Sequence, residues 1–225
     1  MYQYWLVGAL VTACAVPFVL DQARANSALE RAAEIKEWRA QCQDPDPDVR
    51  LAIMEAAIDT GDQSIIRVCL RNALQDDSSD VRNLGLRAAI AAADKLVFTV
   101  EIPEHLDRAF KEAGGDERQW REINKWFDTR LWRQVQNAAI FEIDSSGLTA
   151  RESRWYPLVS ITERSNNYYG EAVVSDGQVV WNGRVAIGNS SHDCVMKLDV
   201  TDDNRLDGNI KCERHSAFNL SAPLF

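Results

Sequence analysis

The sequence is short of the groups that enzymes use. It holds three histidines, His105, His192 and His215, and no serine or cysteine stands in a nucleophile context such as G-x-S-x-G. A glycine-rich phosphate loop is missing, which removes the usual signature of nucleotide hydrolysis. The run Asp199, Asp202, Asp203, Asn204 and Asp207 does not fit the D-x-D-x-D-G calcium loop and reads as a solvated turn. Basic excess is missing too. The formal net charge is −9, and acids outnumber bases 23 to 16 in residues 26–150 but only 10 to 8 in residues 151–225. The helical part therefore carries the acidity, which argues against nucleic acid or anionic lipid and for a neutral or basic partner.

What is present is ordinary globular composition, 46% hydrophobic and 26% charged, enough for one or two domains with a real core. One apolar run stands apart. Residues 4–20 (YWLVGALVTACAVPFVL) carry no charge and are followed by Ala23-Arg24-Ala25, a small-x-small tripeptide that places a signal-peptidase cut before Asn26. The first residues, MYQY, supply no Lys or Arg, so an uncleaved anchor over residues 4–20 is the alternative, the run being just long enough to span a bilayer. Val11-Thr12-Ala13-Cys14 resembles a bacterial lipobox, but the residues after Cys14 stay hydrophobic.

Residues 43–58 (QDPDPDVRLAIMEAAI) recur as residues 75–90 (QDDSSDVRNLGLRAAI), an internal repeat at an offset of 32. Asp46 and Ser78 are good N-caps, Pro47 suits the first helical position, and Asp48 and Asp80 put negative charge in the first turn. Val49, Ala52, Ile53, Ala56 and Ala57 recur at helical spacing in the first unit, and Val81, Leu84, Ala88 and Ala89 in the second, where Gly85 permits close helix approach. Between them, residues 64–74 put Ile65, Cys69 and Ala73 on one stripe with Ile66 and Leu70 beside it. One unit is thus a helix pair. Residues 28–43 form a further amphipathic helix, with Leu29, Ala32, Ala33, Ile35 and Trp38 positioned to cap the stack.

The pattern resembles the short-period HEAT-like repeats. That resemblance implies antiparallel helix pairs whose Asp48, Arg50, Asp80 and Arg82 stack into a polar ladder along a solenoid. It covers about 60 residues and two units, whereas about three are normally needed for stability.

Residues 96–103 (LVFTVEIP) break the helical pattern. A short helix stopped by Gly114 and Gly115 follows, then a longer helical stretch from Asp116 to Ile143 with Trp120, Ile123, Phe127, Leu131, Val135 and Ala138 on one side. Trp126 and Trp132 fall off that stripe. After a linker at residues 144–147 the chain alternates with period two, and Ser175-Asp176-Gly177, Asn182-Gly183 and Asp202-Asp203-Asn204 are hairpin signals. With the last turn centred on Asp203, Cys194 faces Cys212, Met196 faces Ile210, Leu198 faces Gly208 and Val200 faces Leu206. The cysteines then stand where a cross-strand disulfide forms.

Removing Cys14 leaves four cysteines, and a second bond, Cys42 to Cys69, is the less secure expectation because their helical levels differ by about 7.5 Å. His192, Cys194, Cys212 and His215 could alternatively fold around zinc.

The expected protein is α+β in two parts: a signal peptide (1–25), a short α-solenoid of HEAT-like helix pairs (26–146) and a small antiparallel β domain (150–225). It is expected to be periplasmic or secreted, to need no cofactor, and to bind another protein without catalysis. Glu55, Asp59, Asn83 and Arg87 would form the partner surface. The competing functions are a carbohydrate- or cell-wall-binding module using Trp181, Tyr168, Tyr169 and Trp126 or Trp132, and, third, a zinc hydrolase at the His/Cys cluster.

Overall fold

The computed structural model describes residues 17–159 and 161–225, with side chains from Ser27 onward. Residues 4–16 of the apolar run lie outside the described residues, while its end and the tripeptide Ala23-Arg24-Ala25 fall in the first helix. Among the described residues, no helix is long and apolar enough to cross a membrane.

Four helices come first: α1 (Pro17–Gln41), α2 (Pro47–Asp59), α3 (Gln63–Ala73) and α4 (Ser79–Ala92). Asp46 caps α2 by accepting from the Asp48 amide, and Asp62 caps α3 through the Ser64 and Ile65 amides. The α3 stripe is buried as its spacing dictates, and Gly85 brings α4 so close that a Cβ there would lie 2.7 Å from the Ala73 Cβ. The two repeat helices are not equivalent. In α4, Val81, Leu84, Ala88 and Ala89 are all buried, whereas in α2 Val49 is 40% exposed and only Met54 and Ala57 are fully buried. Helix α4 packs on α2, α3 and the barrel, whereas among the described residues α2 packs mainly on α3 and α4.

No solenoid follows. Directly after α4 the chain enters β1 (Lys95–Val100), and β1 is the first stave of a closed eight-stranded antiparallel barrel that replaces the expected small β domain. The remaining staves are β2 (Ala139–Ser145), β3 (Glu152–Pro157), β4 (Gly170–Ser175), β5 (Gln178–Ile187), β6 (Ser190–Val200), β7 (Arg205–Cys212) and β8 (Phe218–Pro223). Two of them therefore come from the range expected to be helical. The helix expected to continue through Ile143 ends at Val135, because residues 139–143 alternate inward and outward with Ala139, Phe141 and Ile143 inside. Between β1 and β2 lie three short helices: α5 (Glu104–Ala113), α6 (Glu117–Ile123) and α7 (Phe127–Val135).

The barrel runs up and down in sequence order and closes by pairing β1 with β8, Thr99 opposite Ser221 and Val100 opposite Leu220. Closure leaves no open sheet edge. The β6/β7 register is the derived one, Cys194 opposite Cys212 through Val200 opposite Leu206. Ser175-Asp176-Gly177 is a turn as expected, with Asp176 and Gly177 both at positive φ. Asn182-Gly183 is not. Those residues lie mid-strand in β5, and the chain reverses instead at residues 188–189, where Gly188 has φ 62°.

An eight-stranded barrel has an interior just wide enough for side chains to fill. Here Phe98, Phe141, Trp155, Trp181, Met196, Leu206 and Phe218 fill it. Phe141 sits edge-on to Phe98, Trp155 and Trp181, with ring centroids 5.6, 6.2 and 5.4 Å away. At one end the β4/β5 and β6/β7 turns dock on the helices: the Gly177 amide donates to Asn83 Oδ1 at 2.8 Å and Gln75 Nε2 donates to the Thr201 carbonyl at 2.9 Å. At the other, α7 lays Leu131 and Val135 over the mouth, leaving a void of only about 20 Å³ against Val100, Phe141 and Phe218.

Candidate functional site

With the lumen filled, the barrel offers its outer wall to a ligand. Across β4 to β7, Gly170, Gly183, Cys194 and Cys212 stand in one row, each opposite the next. The outward neighbours of that row line an open concavity of about 1000 Å³. Val173 and Val195 form its apolar floor and are exposed; Glu171, Arg184, Asp193, Lys211 and Glu213 surround them. Asn166, Asn167 and Tyr169 enter from the β3/β4 loop, and Asn182 from β5. Tyr169 is held by the Arg154 guanidinium, 4.7 Å from its ring centre, and lies 6.1 Å from the Tyr156 ring. Arg184 Nε is 3.3 Å from Asp193 Oδ1. This surface has an apolar centre, a rim of both charges and amide groups on one side.

The residues expected from sequence are placed differently. Arg50 and Arg82 play equivalent parts, each donating from Nη1 to the carbonyl six residues upstream, Asp44 at 2.7 Å and Asp76 at 2.6 Å. The acid that joins the two units is Asp76: Arg50 Nε and Nη2 grip its carboxylate at 2.6 and 2.8 Å. Burial pushes the Asp76 carboxyl up, but the Arg50 fork and the Ser78 amide outweigh it and hold it below the usual range. Asp48 and Asp80 stay exposed in their first turns and pair with no repeat arginine among the described residues. Arg82 instead meets the barrel, where a Cβ on Gly177 would come within 2.6 Å of its Nε.

The expected partner surface is split. Glu55 and Asp59 are exposed on α2, but Asn83 holds the β4/β5 turn and Arg87 is half-buried with Nε unpartnered. Burial, with the charge of Arg151 adding to it, pushes the Arg87 guanidinium below its ordinary value. Trp181 is 0% exposed inside the barrel and has no surface to offer a sugar; Trp132 is half-buried near Phe110, while Trp126 is exposed.

Both disulfides are present. Cys194 and Cys212 are bonded across β6 and β7, and Cys42 is bonded to Cys69 with their Cα atoms 5.4 Å apart, because α1 packs on α3 rather than preceding it as another repeat level. The zinc alternative loses its thiolates to that first bond, and among the described residues no group of three or more His, Cys, Asp or Glu is arranged to hold a metal.

A cluster with little sequence signal lies at the α7 end. Two of the chain's three histidines, His105 and His215, meet Asp128 in the first turn of α7, and the third, His192, packs on His215. Asp128 Oδ2 is 3.0 Å from His105 Nε2, and Oδ1 is 3.1 Å from His215 Nδ1 and accepts from the Ser216 amide at 3.1 Å. The His192 ring packs edge-on to His215 at 5.1 Å, and Phe127 does so from the other element at 6.1 Å. Burial lowers the His215 pKa, Asp128 opposes that shift, and His192 and Arg130 add to it. For Asp128, burial pushes upward, but Ser216, His215 and His105 leave the carboxyl below its ordinary value. The His215 side chain is 1% exposed, and Ser216 beside it is engaged with the same Asp128. The cluster fastens α5, α7, β6 and the β7/β8 loop to one another at the barrel mouth.

Comparison with protein-family models, with curated proteins and with solved structures returns no match.

Proposed function

We propose that the chain is an exported, non-enzymatic protein-binding module whose partner docks on the outer wall of the barrel, over β4 to β7. The observation that carries this reading is the concavity there, with Val173 and Val195 exposed at its centre and charged residues around them. An apolar core inside a polar rim is the anatomy of a protein interface. The packed lumen points the same way, since small-molecule sites are enclosed pockets of about 300–1,000 Å³ and the barrel keeps almost no interior space. The two disulfides fit an oxidising compartment, periplasmic or extracellular.

Photo-crosslinking in the cell of origin tests it. A photoreactive residue at position 195 is expected to give a discrete adduct with another protein, lost in Lys211→Glu/Arg184→Glu, while the same residue at position 55 gives none. An adduct only from position 55 returns the partner to the outer face of α2. A second reading has one observation in its favour: Tyr169 stands beside Asn166, Asn167 and Asn182, a ring and amides that could hold a sugar. Saturable calorimetric binding of peptidoglycan fragments, abolished by Tyr169→Ala, would favour that class of ligand instead.

A further inference from the structure

The α5–α7 insertion is an accessory to the barrel. Its neighbours in sequence, β1 and β2, pair directly with each other, Phe98 opposite Ala139 and Lys95 opposite Glu142, so the insertion can leave the ring without breaking a ladder. Residues 101–103 and 136–138, which belong to neither helix nor strand, join it to those staves. Helix α4 packs on β2 and β4, whereas among the described residues α5, α6 and α7 make no comparably broad contact with any strand. An element with so little packing against its scaffold is the kind that opens by itself. Leu131 and Val135 rest on the mouth, and the histidine cluster fastens them there.

That fastening has a weak point. A carboxylate only accepts, so the His215 Nδ1 facing Asp128 Oδ1 at 3.1 Å carries the hydrogen, and Nε2 is the bare nitrogen of the neutral ring. Nε2 is buried without a hydrogen-bond partner, and so is Nδ1 of His192, whose ring packs against His215 from β6. Phe127 covers another side from α7. A proton taken up at Nε2 would put a charged N–H where no acceptor stands in reach, in the field of Arg130 on α7. The one opposing charge is Asp128, which is already shared with His105 of α5 and the Ser216 amide. Burial wins over Asp128 and holds the His215 pKa below its ordinary value, while the Asp128 carboxyl, itself depressed, stays ionised in mild acid. We infer that the α5–α7 insertion is an acid-released cap: proton uptake by His215 frees it as a unit and uncovers the apolar mouth formed by Val100, Phe141, Val185, Phe218 and Leu220, while the eight staves stay closed. The cap is held while His215 is neutral and is released as pH falls below about 6.5, the ordinary histidine value. This device does not involve the β4–β7 wall, and either can fail without the other.

Hydrogen exchange of the purified chain, read by mass spectrometry at about pH 7.5 and about pH 5 and corrected for the intrinsic pH dependence of amide exchange, tests it. The expected result is that protection of residues 104–135 falls severalfold in acid while β1 to β8 keep theirs, and that a dye sensitive to apolar surface brightens over the same range. His215→Asn, which keeps a donor to Asp128 and takes up no proton, is expected to abolish both responses; a merely structural His215 would leave them in place. Leu131→Ser weakens the seat without touching a titrating group, and is expected to expose residues 104–135 already at neutral pH with the strands still protected. Equal loss of protection in cap and strands, a cap unchanged in acid, or an undiminished acid response in His215→Asn overturns the inference. So do strands that lose protection together with the cap in Leu131→Ser.

Discussion

Trp181 shows how a single indole dictates its neighbours. A Cβ on Gly170 would lie 2.5 Å from Trp181 Cε2, and one on Gly183 would lie 2.4 Å from Cζ2, so the facing glycines leave the space that the ring occupies. These contacts are with a packed ring and with backbone, neither of which can yield cheaply. Gly183→Ala is expected to destabilise the barrel by about 1–3 kcal/mol in denaturant unfolding, with Gly170→Ala similar. The sequence suggested something else at both places, a hairpin at Asn182-Gly183 and an exposed Trp181. The inward alternation of Val179, Trp181 and Val185 is readable in the residue types, but Gly183 interrupts it, and a glycine beside an asparagine is also what a tight turn looks like. Strand register located the Cys194–Cys212 bond, whereas the expected helical levels spoke against Cys42–Cys69, which forms because α1 packs on α3.

Among the elements, α7 depends on the histidine cluster to stay over the barrel mouth. His215 is held below the ordinary histidine value of 6.5, so it is neutral in the folded state where the unfolded chain begins to take up a proton. Its contribution to stability is complete above about 6.5 and is lost as pH falls through the depressed value. Asp128 is also depressed, so its contribution fades only further down, below the ordinary carboxylate range. Both signs agree: acid loosens this end. His215→Asn, which can keep a donor to Asp128 but does not titrate, is expected to flatten the fall in melting temperature between neutral pH and about pH 5, where native His215 contributes to it. An unchanged slope would assign the acid response to other groups. Sequence pattern cannot see such a cluster. Its members come from α5, α7, β6 and the β7/β8 loop; the β6/β7 register brought His192 near His215, but nothing local ties either to Asp128 or His105. The hairpin of β6 and β7 was legible for the opposite reason, because alternation and turn chemistry act over a few residues; Asn204, at φ 59°, supplies the left-handed turn position.

At the scale of the molecule, helical repeat and barrel are one folded unit. The Arg50–Asp76 fork joins the two helix pairs, and Asn83 and Gln75 then hold barrel turns. The helical periodicity in residues 43–90 located α2, α3 and α4, with Asp46 capping α2 but Ser78 making no side-chain bond to α4, and nothing local says that the next layer is a sheet. The strands β1 and β2 were hidden for a related reason. Each is short, and three helices separate them, so the period changes twice before either finds its neighbour. Deleting residues 218–225 removes the partner of both β1 and β7, and the truncated chain is expected to aggregate rather than remain monomeric in sedimentation, because two long edges are left unpaired.

The same seam sets a timetable. Val100 must meet Leu220, 120 residues later, before the staves form a ring. Ribosomal synthesis or threading through a translocation channel delivers β1 first of the staves and β8 last, so the nascent chain carries an open sheet until β8 emerges. Helices α2 to α4, whose contacts are local, can assemble meanwhile and give β1 a platform to wait on. A chain built this way can close its ring only once the last of the eight staves has arrived.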